Sequence, residues 1–475
     1  MLVRGEMSTK WLYNDLINYM GMTKLPKGLE EAFKEYSPVY ETELLPHAYY
    51  EKLLAPYDLP ADKREFLDKA LAAVEADEKV LFFSHFFVWD MCSMRNKYDI
   101  DNYTELVPEC LGPYNTAYAF LVLLACVPVS EKEMIRRGVP LEYYEDIPHR
   151  MIRDQLKRYI DTGRIDVEDM PWKMNFYTLT IFLLDRFLFI PYCHGERFRM
   201  YRSNKTGDVI ALNEAGCTYD AEGQLLDWGF PEEEEDEESK TVSEEYSERH
   251  GAGDPDVNEN GLKNGNYYSH RKAASDVTFV TTLDETEDSI TGYYMNPLGF
   301  TENKKITLDK NEYKPALKEN DWLIALHIPG GEGYTPERMH SSMVMALDFF
   351  KKYYPELDIK GFWSSSWLYD ERLRLILGDG RNITNCQNLM YRYSDGEDGS
   401  MLYVHLFKDM KNSIEDYECN STLQKEAKRY LLAGKRFCTT GMMILSEEAY
   451  SGRVYFSEED KDNWNSLVDT WRLRA

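Results

Sequence analysis

"WLIALHIPGGEGYTPERMHSSMVMALDFF", residues 322–350, decides the fold of the second half of this chain. The continuous apolar run at its start is typical of a buried strand. Pro336 suits the first turn of a helix, and the apolar residues after it recur at three- and four-residue spacing. Gly330, Gly331 and Gly333 lie between these two patterns. The stretch therefore predicts a strand, a bare glycine loop and a helix in direct succession.

A strand that passes through glycines into a helix is chemically suited to bind an anion. The first-turn amides are free to donate, the helix dipole adds partial positive charge, and glycine lets a phosphate approach the backbone. A P-loop would need a lysine after the glycines, and a dinucleotide loop would need a third glycine further on. Neither is present here. A pyrophosphate loop for acyl coenzyme A and a turn without a ligand both remain open.

Length and charge limit the class of protein. A chain of 475 residues exceeds one compact core, so we expect two domains. The net charge of -28 argues against a nucleic-acid partner and against an anionic membrane surface. The eight cysteines form no C-x-x-C pair, which is typical of reduced thiols and offers no metal site. The first residues lack an apolar signal, and the apolar run 117–129 is shorter than a membrane span, so we expect a cytoplasmic protein.

The domain organisation follows from a change in pattern along the chain. Residues 1–172 have helical spacing and few strand signals, whereas strands and helices alternate in residues 173–475. We therefore expect an α+β or α/β protein, with a helical bundle followed by a mixed sheet flanked by helices. Seven consecutive acidic residues, 232–238, open an insertion at 231–275. We expect this insertion to be disordered, either as a solvated loop or as an acidic segment that binds a partner.

Three local patterns make narrower predictions. Ser130 followed by Glu133 fits a capping box that would open a short helix. The apolar run at 174–189 predicts one more helix, and residues 400–408 alternate as a strand would.

Several blocks, taken in order, resemble a family of bacterial acyltransferase-domain proteins. The blocks are "LHIPGGEGYTPE", "FWSSSWLYDERL", "STLQKEAKRYLLAGKRF" and "TGMMIL", preceded by "IRRGVPLEYYEDIPHRMIRDQLKRYI", which resembles that family's Arg-Gly-Ile-Pro turn and the helix after it. The family has a helical N-acyltransferase N-terminal domain and a GNAT-like C-terminal domain. The resemblance covers residues 120–445 apart from the insertion. Gly330 stands where the family carries Lys or Arg, and residues 364–366 are serines where many members have Cys-His-Ser.

The resemblance implies an acyl-CoA-dependent N-acyltransferase. Acetyl or another acyl group would pass from coenzyme A to a small-molecule or peptide amine by direct attack, without a metal. The pantetheine arm would lie between the strands predicted at 322–329 and 359–368, and the amide of Ile328 would donate to the thioester carbonyl. The residues expected to bind the cofactor are Ile328, Gly330, Gly331, Glu332, Gly333 and Thr335. The helical domain would cover the acceptor side or support the sheet.

The catalytic candidates are three polar residues on these two strands. His327 would serve as the base, and Ser365 or Ser366 as the proton donor. A structural histidine and serines packed beneath a helix are the alternatives. The alternative function is a catalytically degenerate binding or scaffold protein with the same fold.

Overall fold

The computed structural model describes residues 10–22, 25–26, 28–38, 40–93, 103, 106–229, 277–378, 380–395, 400–408, 411, 413–435 and 437–455. The acidic insertion at 231–275 lies outside the described residues. The chain forms two compact units. The first comprises Met1–Leu184, Leu188–Pro191 and Lys352–Tyr354, and the second comprises Asp185–Phe187, Tyr192–Lys351 and Pro355–Ala475. The domain boundary between residues 172 and 173 stays a prediction.

Helices make up most of the described part of the first unit. They are α1 (Tyr13–Met20), α2 (Leu29–Glu35), α3 (His47–Leu54), α4 (Ala61–Ala76), α5 (Glu78–Cys92), α6 (Asn115–Arg137), α7 (Ile147–Thr162) and α8 (Met170–Tyr177). Gly138 and Gly163 end α6 and α7 in the left-handed conformation, with φ of 71° and 76°. The helical N-terminal region expected from the spacing is confirmed.

Helix α6 is the central helix of this unit and corrects one prediction. Ser130 lies inside α6 and opens no new helix, so the capping box at Ser130 and Glu133 is wrong. The reason is burial: Ser130 is 2% exposed, and its hydroxyl contacts the thiol of Cys92 at 3.4 Å. By length and hydropathy (1.6), the helical segment Glu109–Arg137 could cross a membrane, but 67% of its most apolar window is buried inside the protein.

The apolar run at 174–189 also differs from its prediction. Helix α8 ends at Tyr177, and the chain continues as strand β1 (Phe182–Leu184) and strand β2 (Phe187–Cys193). The single long helix is therefore wrong. The two charged residues Asp185 and Arg186 form the turn between the strands, and Asp185 takes a φ of 57°.

The second unit is built on strands. They are β3 (Phe198–Ser203), β4 (Val209–Asn213), β5 (Thr218–Tyr219), β6 (Leu225–Asp227), β7 (Phe279–Val280), β8 (Leu283–Glu285), β9 (Ser289–Met295), β10 (Leu298–Gly299), β11 (Thr301–Asp309), β12 (Tyr313–Leu317), β13 (Trp322–His327), β14 (Ile359–Ser366), β15 (Tyr391–Ser394) and β16 (Thr440–Leu445). One antiparallel sheet has the order β11-β9-β4-β3-β12, with β8 on β9, and a small sheet has the order β6-β5-β7.

The sheet that carries the candidate site is mixed. Within the second unit its strands follow the order β13-β14-β16-β15-β10, with β13 parallel to β14, and β16 antiparallel to both of its neighbours. The helices of this part are α9 (Pro336–Tyr353), α10 (Leu373–Leu377), α11 (Asn382–Gln387), α12 (Ser400–Leu402), α13 (Thr422–Leu432) and α14 (Ser446–Ser451). The mixed sheet with flanking helices is confirmed.

Residues 400–408 do not form the predicted strand. Helix α12 is followed by a π-helical turn at Tyr403–Phe407. Tyr403 and Phe407, four positions apart, are both buried and their rings stack at 6.2 Å, whereas Val404 is 47% exposed. Burial thus follows helical spacing, which the apolar alternation in the sequence concealed.

Candidate functional site

Strands β13 and β14 stop pairing with each other before either strand ends. Their last Cα pair is Ala325 with Trp363, yet β13 continues to His327 and β14 to Ser366. Strand β14 keeps its other neighbour throughout, since Ser366 still pairs with Thr440 of β16. The carboxyl ends of the two parallel strands therefore face each other unpaired, at the edge where α/β sheets bind ligands. We call this feature the β13–β14 gap.

One arginine holds the loop that follows β13. Arg186, in the turn between β1 and β2, donates from Nη2 to the carbonyl oxygens of Pro329 at 2.6 Å and Gly331 at 3.2 Å. Its Nε donates to the carbonyl oxygen of Glu332 at 2.7 Å. Three carbonyl groups of the loop are thereby turned toward one guanidinium group.

The amides on the opposite side of this loop are open to a ligand. In a trans peptide the N–H points away from the C=O of the same unit, so the N–H groups of Gly330, Glu332 and Gly333 point away from the guanidinium. Among the described residues, none accepts a hydrogen bond from these three amides. Gly331 and Gly333 have φ of 106° and 94°, which glycine adopts without strain. Such a run of outward donors resembles the backbone nests that bind anions.

Thr335 closes the loop by capping helix α9. Its Oγ1 accepts from the amide of Arg338 at 3.3 Å, and its carbonyl oxygen accepts from Met339 at 2.9 Å. Its own amide donates to the carbonyl oxygen of Gly333 at 3.1 Å. Only the hydroxyl hydrogen of Thr335 is left for a ligand, so its role in cofactor binding stays a prediction.

Tyr334 follows the glycines of the same loop; the residue is half-buried, and its hydroxyl oxygen is buried. Its ring meets that of Phe187 edge to face at 6.1 Å. Burial of its hydroxyl raises the pKa of Tyr334 well above the usual range. The Tyr334 side chain therefore holds the loop against the sheet through this packing. The side chain of Glu332, two residues earlier, is exposed.

His327 and Ser365 lie on the same face of the sheet. Since Ala325 is paired with Trp363 in parallel register, the residues two positions further along each strand share that face. His327 retains some exposed surface, but surrounding protein lowers the pKa of His327 to about 4 by desolvation. Its imidazole is therefore neutral at neutral pH and is able to accept a proton. Ile328 follows directly at the end of the gap.

The serines of β14 have separate roles. Ser365 donates its hydroxyl hydrogen to the carboxylate of Asp395. Ser366 lies on the opposite face, where its Oγ accepts from the amide of Leu368 at 3.2 Å and caps the turn Trp367–Tyr369. Ser364 accepts a hydrogen bond from Tyr369 at 2.9 Å. The structure brings Ser365, but not Ser366, onto the face that carries His327.

A polar network supports this face, and local sequence patterns did not reveal it. Trp363 Nε1 donates to the hydroxyl of Tyr393 at 2.6 Å, and that hydroxyl donates to Glu196 at 3.2 Å. Tyr192 donates to the same carboxylate at 3.0 Å and stacks on Trp363 at 4.2 Å. His194, which is fully buried, contacts the second oxygen of Glu196 at 2.7 Å. Through the hydroxyl of Tyr393, Glu196 is thus linked to Trp363, which lies two residues before Ser365 on the same face of β14.

Comparison with known proteins gives one family match. The model of the GNAT-like C-terminal domain family matches residues 268–443. A search of curated proteins found no match to this sequence. Among solved structures, an acyltransferase mutant in complex with octanoyl-CoA shares 13% identity, with a TM-score of 0.47, over 92% of this chain and 99% of that chain. An acyltransferase in complex with decanoyl-CoA and teicoplanin shares 14% identity, with a TM-score of 0.48, over 91% and 98%. The β13–β14 gap and the glycine loop both lie within residues 268–443, the part of the chain that is similar to the GNAT-like C-terminal domain family.

Proposed function

We propose that this protein is an acyl-CoA-dependent N-acyltransferase that transfers an acetyl or longer acyl group to an amine. The carrying observation is the β13–β14 gap, which leads directly into a loop of outward-pointing amides. The gap suits a thin acyl-pantetheine arm, and the amides of Gly330, Glu332 and Gly333 suit the diphosphate. The amide of Ile328 would donate to the thioester oxygen as negative charge develops there.

The reaction is a direct attack of a neutral amine on the thioester carbon. The C–N bond forms, the C–S bond breaks and the thiolate leaves with the sulfur electron pair. A thiolate is a stable leaving group because its conjugate thiol has a pKa of about 8.5, so the greater need is for a base. Holding amine and thioester in contact supplies much of the rate.

Two groups on one face of the sheet suit the role of base. His327 is neutral and accepts a proton directly, although its lowered pKa makes it a weak base. The hydroxyl of Ser365 donates its hydrogen bond to Asp395. Ser365 therefore accepts the amine proton only as its own proton passes to that carboxylate. Ser365 therefore belongs to the base side of the reaction in this proposal, rather than to the protonation of the leaving group.

Binding and turnover are tested together on the full chain. Thermal shift is measured with acetyl-CoA and octanoyl-CoA, and release of the coenzyme A thiol is measured with a panel of primary amines. Ligand at 100 times its Kd stabilises a protein by about 2.7 kcal/mol, so a shift in Tm and amine-dependent thiol release are expected. No shift with either thioester near millimolar concentration would overturn the proposal.

A second candidate is a binding or scaffold protein that has lost catalysis. Two observations favour it: Gly330 occupies the family's basic position, and serines replace the Cys-His pair on β14. Acyl-CoA binding without thiol release for any amine in the panel would support this candidate over the enzyme. Amine-dependent release above the rate with water alone would reject it.

A further inference from the structure

The loop after β13 needs a source of positive charge that its own sequence does not provide. The chain has a net charge of -28, and a diphosphate would approach against that field. Position 330 is glycine, and the loop residue Glu332 adds a further negative side chain. A cation from elsewhere in the fold would resolve this conflict.

Arg186 is placed to be that cation. All three of its hydrogen bonds within the described residues go to the neutral carbonyl oxygens of Pro329, Gly331 and Glu332. Among those residues, no carboxylate oxygen lies within 4 Å of its guanidinium group. Within the described part of the chain the guanidinium group thus has no ion-pair partner within 4 Å, although its charge contributes to the lowered pKa of the neighbouring Asp185. It lies behind the loop, on the side opposite the three outward amides.

The adjacent residue keeps the other nearby cation paired. Asp185 accepts two hydrogen bonds from Arg338, at 2.7 and 3.1 Å, and one from the hydroxyl of Ser342 at 2.8 Å. The hydrogen bond from Arg338 is the main cause that holds the pKa of Asp185 below its usual value. These contacts fasten the turn onto the first turns of α9, so Arg186 and the loop are held in one fixed geometry.

We infer that Arg186 is the cation of a diphosphate site in the loop after β13, in place of a basic residue at position 330. It is a positioning residue: it binds three loop carbonyls, keeps the amides pointing outward and contributes charge behind them. The ligand class is a diphosphate ester such as the nucleotide end of acyl-CoA. The inference rests on the proposed function for the identity of that ligand.

The test compares ligands with and without a diphosphate on the full chain. Coenzyme A and inorganic pyrophosphate are titrated by calorimetry, and turnover of S-acetyl-pantetheine, which lacks the diphosphate, is measured separately. The proteins are the wild type, R186Q, R186K and the control R429Q, whose side chain on α13 is 68% exposed. R186Q is expected to weaken the binding of coenzyme A and pyrophosphate by about 10- to 100-fold. It is expected to lower acetyl-pantetheine turnover by a clearly smaller factor, because that substrate has no diphosphate to lose. R186K is intermediate, because lysine keeps the charge but loses the planar fork.

A rescue variant separates charge from mere support of the fold. Adding G330K to R186Q returns a cation to the loop and is expected to restore part of the coenzyme A affinity. Any of three results would overturn the assignment. R186Q and R429Q could bind coenzyme A equally well, R186Q could lose acetyl-pantetheine turnover by the same factor as coenzyme A affinity, or G330K could fail to restore any coenzyme A affinity. If R186Q fails to fold, the comparison of R186K with R429Q replaces it. Weaker binding of coenzyme A by R186K than by R429Q would then support the assignment, and equal binding would overturn it. Wild-type binding of pyrophosphate without coenzyme A would overturn the proposed function alone, and binding of neither would overturn both.

Discussion

The hydroxyl of Ser365 donates its hydrogen bond to the carboxylate of Asp395, so that hydrogen is not free for a leaving group. If the pair relays the amine proton, D395N and S365A should each lower kcat by about 100-fold while the Kd for acetyl-CoA is unchanged. The measurement is thiol release with the best amine of the panel, beside calorimetry. The matched control is S364A, since Ser364 lies on the opposite face of β14. Full activity in D395N would remove the relay from the mechanism.

A carboxylate placed at Gly330 should repel the proposed diphosphate. A Cβ at this position meets no atom within 4 Å, and Gly330 does not have a positive φ, so substitutions there are expected to fold. G330E should weaken acetyl-CoA binding by about 10-fold or more, and G330Q, which has the same shape without the charge, should change it little. Calorimetry at low and high salt checks this prediction. Added salt screens charges, so it should reduce the difference in acetyl-CoA affinity between G330E and G330Q. Equal affinities of the two variants would place the diphosphate elsewhere.

His327 should make stability depend on pH in the acid range. Burial lowers the pKa of His327 to about 4, whereas a histidine in the unfolded chain titrates near 6.5. The unfolded state therefore takes up the proton first as pH falls. The free energy of unfolding should fall between pH 6.5 and pH 4, by up to about 1.4 kcal/mol per pH unit from this residue. Its stabilising contribution is fully present only above pH 6.5.

Denaturant unfolding of the wild type and H327Q across this range measures the contribution. H327Q should show the shallower loss of stability on acidification, because glutamine does not titrate. Parallel curves for the two proteins would show that His327 is not desolvated in the folded state.

The hydroxyl of Tyr393 should matter for stability, because it joins Trp363 to Glu196. Tyr393 is 1% exposed, and removal of its hydroxyl takes one hydrogen-bond partner from the half-buried Trp363 indole and one from the buried Glu196 carboxylate. Y393F is expected to lower the free energy of unfolding by about 2 kcal/mol. Y450F is the control: Tyr450 also bonds a carboxylate, that of Asp348 at 3.0 Å, but it is 44% exposed and should change stability by less than about 0.5 kcal/mol. Urea unfolding followed by tryptophan fluorescence compares the two variants. Similar losses in the free energy of unfolding for Y393F and Y450F would show that the hydroxyl of Tyr393 does not stabilise the fold.

The sequence was sufficient where the signal is local. Strand β13, the glycine loop and the start of α9 follow from an apolar run, three glycines and Pro336. These three signals all lie within one stretch of 29 residues, 322–350. The helix ends at Gly138 and Gly163 were predictable for the same reason, since a left-handed glycine ends a helix by its own backbone freedom.

Local patterns failed where burial decides between alternatives. The run at 174–189 is apolar enough for one helix, yet α8 ends at Tyr177, and Asp185 and Arg186 separate the two strands that follow. That pair of charges within an apolar run was the available sign of a hairpin turn. In residues 400–408 the apolar residues alternate in sequence, but the buried ones are Leu402, Tyr403 and Phe407, whereas Val404 is exposed.

The site depends on residues that are distant in sequence. Arg186 precedes Pro329 by 143 residues, and Asp395 follows Ser365 by 30. No spacing rule connects such partners, because only the folded sheet brings them together. The sequence therefore indicated the loop and one strand face, while the groups that hold them became visible only in three dimensions.

The unpaired ends of β13 and β14 form an edge inside a sheet. Exposed edges normally attract other strands, which proteins prevent by shortening or covering them. This one extends only over residues 326–327 and 364–366, too short to recruit another polypeptide strand. A thin ligand with its own amide groups would form hydrogen bonds with the unpaired backbone groups of β13 and β14. It would thus occupy the place of a strand between them while it is bound. Slower hydrogen exchange along both edges on binding would reveal that the ligand had become part of the secondary structure.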